Sequence, residues 1–197
     1  MPKGIPLTQE EQTRRRREIF IAAVHLFLAK GFNETSMREI AEAARMGKSS
    51  LYDYFPNKDE ILLSMMEDEM NRLTEQAREI AALPERSVVK LRKIILAYLD
   101  FLAANENFFL QLSYEVQRLG QNSQERIFKM RHAFQDLVRE VIDAGIRDGS
   151  FRRVDSLLAT RAIISAFSTV VLANRKVSPR EQMIEDAFTL LLNGLQA

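Results

Sequence analysis

Apolar residues in this chain recur every three or four positions, and glycine falls almost wholly in the gaps between such stretches. Val88, Leu91, Ile95, Tyr98 and Leu102 step by 3, 4, 3 and 4, as do Ile127, Met130, Phe134, Leu137 and Val141. That period is the α-helix's, because it lines one face of a 3.6-residue turn. Six of the seven glycines lie between or outside these runs, and only Gly145 sits inside one. No stretch alternates apolar and polar residues as a half-buried strand does. The chain is therefore expected to be all-α, with helices over 9–30, 37–44, 48–54, 58–82, 87–104, 106–119, 123–147, 155–175 and 179–194.

Start signals agree with these breaks. Thr8 and Glu11, Ser36 and Glu39, Asn57 and Glu60, Asn122 and Glu125, and Ser178 and Glu181 have the spacing of a capping box. There the first side chain takes a free amide and the glutamate reaches back. Pro179 is expected at a first helical position, where a missing N–H costs nothing.

Composition excludes several function classes. There is no cysteine, so disulfides and thiolate chemistry are ruled out, and with only His25 and His132 no metal site is expected. Neither Gly-x-Ser-x-Gly, His-Glu-x-x-His nor Gly-x-Gly-x-x-Gly occurs, so no catalytic residue and no cofactor are expected. Gly47-Lys48-Ser49 lacks the earlier glycine and the strand of a phosphate-binding loop. Met1–Glu18 has basic residues but no apolar run behind them, and Ala162–Ala173 is too short and too polar to span a membrane. A soluble cytoplasmic protein without membrane partners is expected. Lys and Arg total 28 against 27 Asp and Glu, but residues 1–58 carry ten against seven, a local net of +3.

Function concentrates in residues 19–58. Ile19, Ala22, Ala23, Leu26 and Phe27 form a stripe that ends at Gly31. A short helix with Ile40, Ala41 and Ala44 inward is joined by Arg45-Met46-Gly47 to a second, with Leu51 and Phe55 inward. Two short helices joined by about three residues, the first rich in alanine, form a helix-turn-helix. The outward set on the second, Lys48, Ser49, Ser50, Tyr52 and Tyr54, suits phosphate oxygens and base edges.

This stretch resembles the amino-terminal domain of the TetR family of transcriptional repressors. The resemblance is carried by Ala-x-x-Leu-Phe at 23–27, Gly31-Phe32, Thr35-Ser36, Ile40-Ala41, and Leu51-Tyr52-x-Tyr-Phe55 followed by Pro56-x-Lys58. It implies a dimeric regulator that binds a palindromic operator in double-stranded DNA and is released by a small, largely apolar effector. The implied domains are 1–58, a three-helix DNA-binding head, and 59–197, six helices for effector binding and dimerisation. The implied DNA contacts are Thr35, Ser36, Arg38, Lys48, Ser49, Ser50, Tyr52, Tyr54 and Lys58, with Arg14–Arg17 near the backbone or the minor groove. Candidate effector contacts are Tyr98, Phe101, Phe109, Leu112, Phe128, His132 and Phe167. Candidate homodimer contacts are Ala162, Ala166, Val170, Ile184, Phe188 and Leu191.

Two departures from the family pattern bear on which operator is read. Arg45 stands where the family has glycine, and is expected to adopt a positive φ at a cost of about 1 kcal/mol. Asp53 stands where a neutral or basic residue is usual, and either meets repulsion from phosphate or accepts from a cytosine amine. The rival readings are a helical small-molecule-binding protein or enzyme that keeps the helix-turn-helix as scaffold, and a peripheral membrane protein that uses Arg14–Arg17.

Overall fold

A computed structural model describes residues 8–106, 120–172 and 178–193, with only the backbone at Met65, Arg180 and Asn193. Eight helices are found among the described residues: α1 (Gln9–Lys30), α2 (Met37–Ala43), α3 (Lys48–Tyr54), α4 (Lys58–Ala81), α5 (Ser87–Ala104), α6 (Gln121–Arg147), α7 (Ser156–Leu172) and α8 (Arg180–Asn193). No strand occurs among the described residues. The helix expected over 106–119, with Phe109 and Leu112, lies outside them except at its first residue.

The caps explain most of the boundaries. Thr8 and Ser36 each close a full capping box with Glu11 and Glu39, and Asn57 takes the Glu60 amide at 2.8 Å. The expected cap at Asn122 is not formed. The Gly120 carbonyl accepts the first bonds of α6, from Ser123 and Gln124, which puts Asn122 inside the helix. Pro179 precedes the first helical residue rather than occupying it, and its carbonyl accepts from Met183. Asp155 caps α7 through the Leu158 amide at 2.8 Å.

The chain divides into two compact units, one of residues 1–68 with 111–126, the other of 69–110 with 127–197. The divisions after 68 and 126 fall inside helices, α4 and α6. In the first unit the core is Ile19, Ala23, Phe27, Phe32, Ile40, Ala41, Leu51, Phe55, Ile61 and Leu62, all nearly inaccessible. The Phe27 and Phe32 rings meet at 4.8 Å between centroids. Burying each large side chain contributes about 1.5–3 kcal/mol.

In the second unit α5 buries Leu91, Ile94, Ile95, Tyr98, Leu99 and Leu102 and packs against α7. Tyr98 stacks on Phe134 at 5.4 Å, and its hydroxyl lies 2.7 Å from that of Ser168. Burial pushes the Tyr98 phenol pKa up, partly offset by Ser168. Gly145 touches the Phe151 ring and Ser87, which is why a glycine interrupts an otherwise regular helix.

Candidate nucleic-acid interface

The helix-turn-helix is held by local chemistry at each joint. Gly31 ends α1 at φ 92°, a region open to glycine. The turn that follows is fixed by Lys58, whose Nζ donates to the carbonyls of Phe32 (2.6 Å), Asn33 (3.0 Å) and Thr35 (3.1 Å). The same ammonium lies 4.6 Å from the centroid of the Phe32 ring. Buried Thr35 donates its hydroxyl back to the Gly31 carbonyl at 2.8 Å. Glu39 closes the box with Ser36 and also binds Lys30. The Lys30 hydrogen bond, helped by the bonds from Ser36, brings the Glu39 carboxyl down to about 2.

The connection from α2 to α3 is a Schellman turn. Met46 N–H donates to the Ala41 carbonyl (2.9 Å) and Arg45 N–H to that of Glu42 (3.1 Å). That geometry requires a left-handed residue after the cap, and Arg45 supplies it at φ 54°. Arg45→Gly is therefore expected to raise stability by about 1 kcal/mol, read as a higher urea midpoint with an unchanged slope. A lower midpoint would show that the arginine side chain outweighs the strain.

Gly47 begins α3 without a side-chain cap. Leu51 is fully buried and Phe55 nearly so, which sets the helix's orientation. Arg16 from α1 lays its guanidinium 4.6 Å over the Phe55 ring and donates to Ser64 Oγ at 3.3 Å. Lys48, Ser49, Ser50, Tyr52 and Asp53 are exposed, and Tyr54 is half-buried. Lys48 Nζ sits 5.9 Å from the Tyr52 ring centroid.

The expected DNA contacts thus fall into two groups. Lys48, Ser49, Ser50 and Tyr52 share the accessible side of α3, with Tyr54 at its edge. Arg38 is accessible but paired with Glu42 at 2.8 Å, and that hydrogen bond raises its pKa further. Thr35, Ser36 and Lys58 form hydrogen bonds within the domain: Thr35 is buried, Ser36 is exposed at the start of α2 and Lys58 is half-buried. Within Arg14–Arg17, Arg14 and Arg15 pair with Glu18, and Arg16 is the brace just described.

Arg126 was not foreseen. It donates to Glu60 at 2.6 Å and to both Glu67 oxygens at 2.8 and 2.6 Å, tying the start of α6 to two turns of α4. The two carboxylates, Glu67 first, push its guanidinium pKa upward. Nothing in the sequence links residues 59 and 66 positions apart.

The second unit holds the residues expected at the effector pocket and the dimer interface. Phe128 and His132 stack on each other at 6.5 Å and are exposed. Tyr98 and Phe167 are core. Phe101 lines an open cleft of about 280 Å³ together with Leu73, Ala97, Ala104, Arg72 and Asp100. Among the expected dimer contacts, Val170 and Phe188 are buried in the single chain. Phe188 packs on Phe167 at 4.5 Å and under Arg92 at 4.3 Å. Ala162 is exposed, and Ala166, Ile184 and Leu191 are half-buried. Leu158 and Leu190 are exposed at 68% and 76%. No described helix is long and apolar enough to cross a membrane, and no group of metal-binding side chains gathers among the described residues.

Two family models match the chain: bacterial regulatory proteins of the tetR family over residues 19–65, and the tetracyclin repressor-like C-terminal domain over 84–172. The transcriptional repressor KstR2 of Rhodococcus jostii (strain RHA1) is 30% identical over 149 residues, 75% of this chain and 73% of the relative. The chain belongs to the tetR family of bacterial regulatory proteins. This family member is also similar in fold to the TetR regulator PfmR of Thermus thermophilus, with a TM-score of 0.76 and 25% identity over 91% of this chain and 99% of that one. FadR of Bacillus subtilis, solved in complex with stearoyl-CoA, superposes with a TM-score of 0.78 at 21% identity, covering 90% and 98%. Such relatives are transcription regulators rather than enzymes, so this tetR member is a DNA-binding transcriptional regulator with a tetracyclin repressor-like carboxy-terminal domain.

Proposed function

We propose that this regulator is a cytoplasmic repressor that binds a palindromic operator as a homodimer and leaves it when a small, largely apolar effector binds. The observation that carries the reading is the accessible side of α3: Lys48, Ser49, Ser50 and Tyr52 stand outward while Leu51 anchors the helix from behind. A lysine, two hydroxyls and a phenol offer donors to phosphate and to base edges, and the surrounding joints hold them still. Residues 1–58 form the DNA-reading domain, and 59–197 serve effector binding and dimerisation.

Support for a second chain comes from α7 and α8. Leu158, Ala162, Ser165 and Thr169 recur at helical spacing on an exposed row of α7, and Leu190 stands out from α8. Pairing there, with Ala162 and Ala166 permitting close approach, brings two α3 helices to successive major grooves about 34–36 Å apart. The effector acts by population shift: a ligand that prefers the state with poor DNA affinity weakens binding, and DNA weakens the ligand by the same factor. Stearoyl-CoA, bound by the B. subtilis relative, is the first ligand to test.

Selection from a random duplex pool tests the reading. A two-fold symmetric winner with half-sites about one helical turn apart is expected. No enrichment, or an asymmetric single site, would refute a dimer on a palindrome.

A further inference from the structure

We propose that Asp53 reads a cytosine amine in each half-site, an inference that rests on the DNA-binding reading above. Leu51, fully buried, marks the inward edge of α3. At about 100° per residue, Ser49 and Asp53 lie within about 20° of the opposite edge and one turn apart. Asp53 is therefore central on the outward face, with Lys48 and Tyr52 to one side and Ser50 and Tyr54 to the other. It is exposed, and among the described residues no donor or cation takes it. The other two carboxylates of α2 and α3 are both tied down, Glu39 by Lys30 and Glu42 by Arg38.

In water an exposed carboxylate is fully solvated. In a groove it loses that water, and the loss is unfavourable unless a donor replaces it. Phosphate offers only like charge. On the major-groove edges the donors are the cytosine N4 and adenine N6 amines, whereas guanine N7 and O6 and thymine O4 are acceptors that face the carboxylate with like polarity. Adenine sets its N7 lone pair beside the amine, against the second carboxylate oxygen. The outer neighbour of the cytosine amine is a C–H. Cytosine alone therefore offers a donor without an adjacent acceptor on the same base. Lys48, turned toward Tyr52, does not neutralise the group.

The test runs the full-length wild type and Asp53→Asn side by side through one random duplex pool. Wild type should fix cytosine at one position of each half-site, preferred at least about fivefold over other bases. Asp53→Asn should keep the remaining positions and change that one to adenine, because an amide matches the adenine N7 and N6 pair. Asp53→Ala, able to do neither, should relax it. Identical half-sites from all three proteins would overturn the proposal while leaving DNA binding intact. Failure of the wild type to enrich any sequence would overturn the DNA-binding reading and this inference with it.

Discussion

Lys58→Met is expected to lower stability by about 2–3 kcal/mol, the worth of charged hydrogen bonds to part-buried carbonyls that then go unpaired. Three carbonyls, of Phe32, Asn33 and Thr35, converge on one ammonium, and the Phe32 ring covers it. Methionine keeps the length and the apolar stem but supplies no donor. The turn between α1 and α2 then loses its brace, and with it the placement of Ser36 at the start of α2. Thermal denaturation reads the loss as a fall of roughly 5–10 °C in Tm. A lysine that served only to bind phosphate gives the opposite pattern: unchanged stability and a salt dependence of DNA binding lower by about one unit.

Gly145→Ala is expected to destabilise the second unit by about 2 kcal/mol. A methyl at this position meets Phe151 Cδ2 at 2.2 Å, Cε2 at 2.5 Å and Ser87 Cβ at 2.9 Å. Phe151 is nearly inaccessible, so its ring has no open space to enter. Overpacking of this kind costs about 1–3 kcal/mol, and alanine's better helix propensity returns at most about 1 kcal/mol. Ser87 has little room to move, because its hydroxyl donates to Asp148 at 2.8 Å. The bonds from Ser150 and Ser87 also hold the Asp148 carboxyl below its usual range. A urea midpoint unchanged or raised by the substitution would show that Phe151 repacks without cost.

Both predictions concern features visible only once the chain is folded. Helix periods, the capping boxes at Thr8 and Ser36, and the left-handed Arg45 were legible because each depends on residues within one or two turns. So was the α3 face, since one buried leucine fixes the orientation of a seven-residue helix. Contacts that close over long stretches of chain were not. The bonds of Lys58 were not foreseen because its carbonyl partners lie 23 to 26 residues away and carry no side-chain signature. Arg126 gave no sign of Glu60 and Glu67. In α7 and α8, apolar residues surround so much of each helix that the period could not separate inward from outward. The burial of Val170 and Phe188 within this chain's own core was therefore not legible. Asn122 shows the limit of cap spacing: a matching Asn-x-x-Glu lost to Gly120, which lies just before it and takes the first bonds of the helix.

The central claim is that the exposed side of α3 meets a DNA duplex. Its most direct test is the salt dependence of binding by the wild type and Lys48→Ala on the selected duplex. Lys48 is exposed and its nearest described contact is a neighbouring ring, so alanine should leave the fold unchanged. The wild-type association constant should fall linearly with salt on a logarithmic plot, and Lys48→Ala should weaken binding and reduce that slope by about one unit. Equal affinity and equal slope for the two proteins, or no binding by the wild type at low salt, would contradict it.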